Sequence, residues 1–168
     1  YAREYPLETV SITERSGQDW SLRITHRDVE IKEIRREHGI LNKPIVMASR
    51  QTGDLEPAVS PSKEDITDKI KAKARELGFG EVGITKYDHK YSYQSHKGDV
   101  KYPHVICLAY EQAYEATQTI PSIAAEIVHS STYRLEGAAG LELGDYIRSL
   151  GYHAQVHSTS DTPAQIGK

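Results

Sequence analysis

A long helical pattern in the second half of the chain most constrains the fold. Apolar residues recur at helical spacing from about residue 121 to residue 150. Thr119 or Ser122 can cap its N-terminus, and Gly151 can end it, because glycine adopts the left-handed backbone that stops a helix without strain. The pattern predicts one long helix, followed by a strand over "YHAQVH" at 152–157.

The middle of this helix combines a tyrosine with two glycines. Residues seven apart on a helix differ by only about 20° in direction, so Tyr133 and Gly140 share one stripe, with Gly137 between them. Each glycine weakens a helix by about 1 kcal/mol relative to alanine, but it also lets another group approach the backbone closely. The residues alone leave two interpretations open: close packing of a neighbouring element, or a seat for a flat ligand beside the phenol.

The first third of the chain predicts a β-hairpin, a short helix and a loop. Residues 7–25 alternate apolar and polar side chains around a turn, as a hairpin does. A heavily charged helix follows and closes at Gly39. Prolines and small polar residues in 42–61 predict a strand fragment and then a wrapping loop. We therefore expect a boundary between residues 1–61 and 62–168.

The pattern after this boundary predicts an α/β fold. Ser62 can cap a helix that Gly78 ends. Two apolar stretches follow, "EVGIT" at 81–85 and "HVICLAY" at 104–110, which are typical of buried strands. Helices that alternate with apolar strands indicate an α/β layer architecture.

Composition and charge exclude several classes of protein. The 168 residues carry a formal net charge of -3, with acids and bases intermixed, so no surface for nucleic acid is expected. The single cysteine, Cys107, cannot alone form a disulfide or a cysteine-ligated metal site, and its apolar strand predicts a buried structural thiol. No apolar run is long enough to cross a membrane. We expect a soluble, cytoplasmic protein.

Three stretches resemble a known enzyme family. They are "KARELGFGEVGIT" at 73–85, "AYEATQTIPS" at 113–122 and "TYRLEGAAGLELGDYIRSLGYHAQVH" at 132–157. Together they resemble the cobalamin-dependent reductive dehalogenases, especially the soluble catabolic type, and more distantly the epoxyqueuosine reductases. The resemblance covers about residues 62–163, and no motif in residues 1–60 matches.

The resemblance implies a partial nitroreductase-like α/β core that holds cobalamin, a corrinoid whose reduced cobalt removes halide from a small organohalide. In that family a tyrosine donates the proton to the carbon that loses halide, and Tyr133 matches its position. No other metal-binding residue of this chain is implied. The residues that would contact the corrinoid lie in and around the long helix: Gly137, Gly140, Thr119, His157 and Ser158.

The chain lacks parts that the complete reaction needs. The family has two four-iron clusters, each held by cysteine thiolates, and a cation that stabilises the phenolate after proton donation. This chain has one cysteine and ends at Lys168, before the position of that cation. We therefore expect the N-terminal part of a catalytic core, with the clusters in a C-terminal portion or the electrons from a donor protein.

Two alternatives stay open, and so does the question whether this chain alone is catalytic. One is an enzyme of the epoxyqueuosine reductase type, which acts on modified tRNA. The net charge of -3 argues against it, because a chain that is not basic would bind RNA weakly. The other is a non-catalytic corrinoid-binding module.

Histidines form a second group of candidates. His89, His96 and His104 lie around a tyrosine-rich loop, but their spacing matches no zinc site, so exposed loop side chains are expected. His153 and His157 are four residues apart in the predicted last strand and would share a face of it.

Overall fold

A computed structural model confirms a mixed α/β chain, and it describes residues 8–13, 19–24, 26–93, 98–120 and 122–157. These residues divide into two compact units, one built from Tyr1–Ile40 and Ala113–Ser131, the other from Leu41–Gln112 and Thr132–Lys168. The elements, in chain order, are strands β1 (Glu8–Thr13) and β2 (Asp19–Ile24), helices α1 (His26–Gln51) and α2 (Thr67–Glu76), strands β3 (Phe79–Lys86) and β4 (His104–Tyr110), and helices α3 (Tyr114–Thr117) and α4 (Ile123–Ser149).

The first unit contains the predicted β-hairpin. Strands β1 and β2 pair antiparallel, with Val10 opposite Leu22 and Ile12 opposite Trp20. The alternation of apolar and polar residues therefore predicted these two paired strands correctly, and the turn predicted between them lies outside the described residues.

Helix α1 is longer than the sequence predicted. The expectation of a short helix closed at Gly39 is wrong, as is that of a strand fragment after residue 42, because α1 continues to Gln51. A glycine inside a helix costs only about 1 kcal/mol, and Pro44 removes a single backbone hydrogen bond, the one to the Ile40 carbonyl. Downstream, Ile45 is half-buried and Ser49 is buried, so packing outweighs these two local losses.

The second unit contains the main core. Helix α2 packs beside strand β3. Helix α2 begins at Thr67, whose backbone N–H bonds to the Asp65 carboxylate at 2.9 Å, and not at the predicted Ser62. Gly78 ends it as predicted, with φ of 95°. The buried apolar cluster that these elements share with α4 consists of Ile70, Ala74, Phe79, Leu143 and Ile147.

Strands β3 and β4 form an antiparallel pair with one irregularity. Phe79 pairs with Tyr110 and Glu81 with Ala109, so the intervening Gly80 has no partner across the ladder. Because the side chains of a strand alternate between two faces, this extra residue moves Phe79 onto the face that also carries Val82. All the core-facing side chains of the sheet then lie on one side: Phe79, Val82, Ile84, Ile106, Leu108 and Tyr110.

Helix α4 confirms the long helix that the sequence predicted. It runs from Ile123 to Ser149, and Gly151, with φ of 92°, lies just beyond it. The strand predicted at 152–157 is wrong, because these residues form no ladder and take an irregular path. Within the described residues, no helix combines the length and the apolar character that crossing a membrane requires.

Candidate functional site

The N-terminus of α4, in the first unit, is capped by the Ser122 hydroxyl, which is in turn hydrogen-bonded to the Thr119 hydroxyl. The Ser122 Oγ accepts a hydrogen bond from the backbone N–H of Ala125 at 3.0 Å, as an N-cap does. The Thr119 hydroxyl donates to the Ala116 carbonyl at 2.7 Å and is also hydrogen-bonded to the Ser122 hydroxyl. Thr119, which the resemblance assigned to the corrinoid, therefore has its hydroxyl engaged in this cap.

Tyr133 belongs to the second unit and lies on a stripe of glycines. At about 100° per residue, Gly137, Gly140 and Gly144 follow Tyr133 along one side of α4. The tyrosine is 38% exposed, whereas Leu143 in the core-facing part of the same helix is only 2% exposed. Tyr133 is thus partly exposed, and the predicted alignment of Tyr133 with Gly137 and Gly140 is present.

Side chains of the protein already occupy this stripe. A Cβ added to Gly137 would lie 2.7 Å from Ile45 Cγ2, and one added to Gly144 would lie 2.8 Å from Val156 Cγ2. At Gly140 the nearest atom is Val156 Cγ1 at 3.6 Å, an ordinary van der Waals contact. Of the two interpretations that the sequence left open, close packing describes the space beside these glycines.

The segment 152–157 is held by side chains instead of by a strand ladder. The Val156 backbone N–H donates to Thr52 Oγ1 at 2.7 Å, and Thr52 is 2% exposed. Arg148 donates to the Ala154 carbonyl at 2.8 Å, and the Gln155 side chain donates to the Asp99 carbonyl at 2.8 Å. These bonds fix where Val156 meets the glycines. His157 follows directly, while Ser158 lies outside the described residues.

The histidines do not assemble a metal site in the described part of the chain. His153 stacks on Tyr102 with ring centroids 5.5 Å apart, and its Nε2 lies 3.9 Å from a Glu56 carboxylate oxygen. His89 packs edge-on against Tyr87. The described residues contain no group of three or more His, Cys, Asp or Glu side chains that could hold a metal ion. His96 lies outside those residues.

Cys107 is exposed, so the prediction of a buried structural thiol is wrong. It pairs with Gly83 across the sheet and lies on the face opposite the core-facing residues. The apolar run "HVICLAY" suggested burial on both faces, but in β4 only alternate side chains pack against the core.

Sequence reasoning missed one ionisable group close to Tyr133. Burial raises the pKa of the Glu136 carboxyl above its ordinary value, because water no longer stabilises the charge. Glu136 lies one helical turn after Tyr133 and one turn before Ala139. Ala139 packs against the core cluster that contains Leu143. An acid one turn before a core-facing position of a helix is the signal that could have revealed it.

The comparisons with known proteins do not assign this chain to a family. No protein-family model matches it, and no curated protein matches it significantly.

Proposed function

We propose that this chain is a portion of a cobalamin-dependent reductive dehalogenase, and that Tyr133 supplies the proton that replaces the halide of a small organohalide. The resemblance of residues 73–85, 113–122 and 132–157 to that family supports the proposal. One observation carries the role of Tyr133: the residue is 38% exposed on the side of α4 that bears the glycines. A phenol that donates a proton must be within reach of the substrate. The finer fold proposed is a partial nitroreductase-like core.

The glycine stripe itself does not fit a corrinoid. A corrin is broad and flat, and the space at Gly137 and Gly144 is filled by Ile45 and Val156. Gly137 is therefore not proposed as a cofactor contact, and neither is Gly140, where Val156 Cγ1 lies 3.6 Å from the position of a Cβ. His157, at the end of the 152–157 segment, remains a proposed contact, and so does Ser158, which lies outside the described residues. Cobalamin, where bound and reduced, would pass to the organohalide the two electrons that, with the proton from Tyr133, replace halide by hydrogen.

The Tyr133 phenol would need a cation from another part of the protein. Donation leaves a phenolate, which a nearby cation stabilises. The adjacent Arg134 is turned by about 100° around the helix from Tyr133, so it does not share the stripe of the phenol. We propose that a remaining C-terminal iron–sulfur portion, or a separate electron-donor protein, supplies the reducing electrons, and that the cation comes from such a portion.

Cobalamin binding and halide release test this function. The purified chain is mixed with cobalamin and its visible spectrum is recorded after removal of free cofactor. A chemical reductant then replaces the iron–sulfur electrons, and halide released from an organohalide is measured against the same amount of free reduced cobalamin. We expect Tyr133→Phe to lower release to the level of the free cofactor without reducing binding.

The matched control is Tyr91→Phe, which alters another exposed tyrosine, 58% accessible, in a different part of the second unit. It should leave both binding and halide release unchanged. Absence of cobalamin uptake by the chain would contradict the proposed class. Uptake without protein-dependent halide release would favour a non-catalytic corrinoid-binding module.

A further inference from the structure

We infer that Ile45 packs directly against Gly137, and Val156 against Gly144, and that these two contacts, called the seam below, are the reason why α4 has glycine at both positions. The inference goes beyond the proposed function, since it concerns packing at Gly137 and Gly144 and not the reach of the Tyr133 phenol. It rests on the two close approaches of 2.7 and 2.8 Å between side-chain methyls and the positions of absent Cβ atoms. Real Cβ atoms essentially never come this close to another heavy atom.

The two side chains that fill the seam are stiff. Ile45 and Val156 are both β-branched, and their Cγ2 methyls are attached directly to Cβ, so they cannot swing away as the end of a long side chain would. Ile45 is also fixed to helix α1, where one χ1 rotamer is strongly preferred. A methyl added at Gly137 therefore has to move a helix or force a strained rotamer.

Val156 is held in place by bonds to its backbone and to its neighbours. Its N–H donates to the buried hydroxyl of Thr52 at the end of α1, and two residues earlier the Ala154 carbonyl accepts from the buried Arg148 of α4. Lifting Val156 off the stripe would leave the Thr52 and Arg148 groups without these partners, which is costly for buried polar groups. The seam thus ties α1, α4 and the 152–157 segment together within the second unit.

Gly140 lies between Gly137 and Gly144 and provides a matched control. Its nearest neighbour to an added Cβ is Val156 Cγ1 at 3.6 Å, so an alanine fits there without displacement. Alanine also favours the helix over glycine. Gly140→Ala should therefore raise the thermal midpoint slightly, whereas Gly137→Ala and Gly144→Ala should lower it.

A double-mutant cycle tests the contact at Gly137 directly. When Ile45 is truncated to alanine, the nearest remaining atom to the added methyl is its Cβ, at 3.9 Å. Gly137→Ala should then raise the midpoint in the Ile45→Ala background but lower it in the wild-type background. We expect the two effects to differ by roughly 2 to 10 °C. The same cycle applies to Gly144→Ala with Val156→Ala.

Equal effects of Gly137→Ala in both backgrounds, or an effect like that of Gly140→Ala, would overturn the inference. These measurements need no cofactor, so they stand apart from the proposed function. A second readout uses cobalamin: Gly137→Ala should leave uptake per folded molecule unchanged, because the seam is not the cofactor seat. Loss of uptake at unchanged thermal stability would instead show that a ligand uses this stripe.

Discussion

Arg35 on α1 donates two hydrogen bonds to the carboxylate of Glu126 on α4, from Nε to Oε1 at 2.7 Å and from Nη2 to Oε2 at 2.8 Å. This is the bidentate geometry in which a guanidinium matches a carboxylate. The Glu126 side chain is only 9% exposed, and the Ser130 hydroxyl donates to the same carboxylate at 3.2 Å. The pair joins the parts of α1 and α4 that lie in the first unit.

Glu126→Ala should lower the free energy of unfolding by roughly 2 to 3 kcal/mol, because hydrogen bonds to a charged group are lost and Ser130 is left without its acceptor. Urea denaturation followed by circular dichroism measures this change. Glu142→Ala is the control: its side chain is 60% exposed and its ion pair with Lys73 lies at the surface, so about 1 kcal/mol or less is expected. Equal losses in both variants would contradict the structural role of Glu126.

The same contact predicts a dependence of stability on pH. The hydrogen bond from Arg35 holds the pKa of the Glu126 carboxyl below its ordinary value of 4.5, and burial opposes this only in part. The folded-state pKa is therefore lower than the unfolded one, so the stabilisation is complete above about pH 4.5 and is lost as the pH falls through the folded-state pKa. The difference in stability between wild type and Glu126→Gln should shrink over that acid range.

Glu136 should behave in the opposite way. Burial raises the pKa of its carboxyl, so the ionised form disfavours the folded state at neutral pH. Below the unfolded-state pKa the group is protonated in both states and the penalty disappears. Glu136→Gln should therefore be more stable than wild type at pH 7 and equal to it at acid pH, as measured by urea midpoints. A variant that is less stable at neutral pH would show that the carboxylate has a favourable partner.

Gly151→Ala should destabilise the second unit strongly. The residue has φ of 92°, and an added Cβ would lie 2.6 Å from the Ser60 carbonyl carbon and 2.7 Å from Pro61 backbone atoms. A side chain at this φ is strained, and the backbone atoms that it would touch cannot move aside easily. We therefore expect the free energy of unfolding to fall by about 3 kcal/mol or more. Gly39→Ala is the control: it has no neighbour within 4 Å and should gain about 1 kcal/mol. Unfolding midpoints of the two variants should shift in opposite directions.

The elements that the sequence predicted well are those specified by local signals. Ser122 and Gly151 bracket α4, and a cap and a left-handed glycine need only neighbours along the chain to act. Strand β4 has the predicted bounds of 104–110 because its apolar run ends at polar residues on both sides. Gly78 likewise ends α2 where expected.

The predictions that failed depend on partners far away in the sequence. Helix α1 continues past Gly39 because Ile45 packs into α4 at Gly137, which no local propensity reveals. The 152–157 segment is not a strand because its amide bonds to Thr52, on an element more than a hundred residues earlier in the chain. The sequence predicted that Gly137 and Gly140 share a stripe with Tyr133, but it revealed neither Gly144 as part of that stripe nor the side chains that fill it.

The unpaired Gly80 determines on which face of the sheet Phe79 lies. Because Gly80 adds one residue that has no partner in β4, Phe79 lies in the core with Ile70 and Ala74 while the rest of β3 keeps its register. In a regular strand Phe79, three residues before Val82, would project to the opposite side of the sheet. The phenylalanine ring therefore reaches the core only because the ladder accommodates one unpaired residue at this corner.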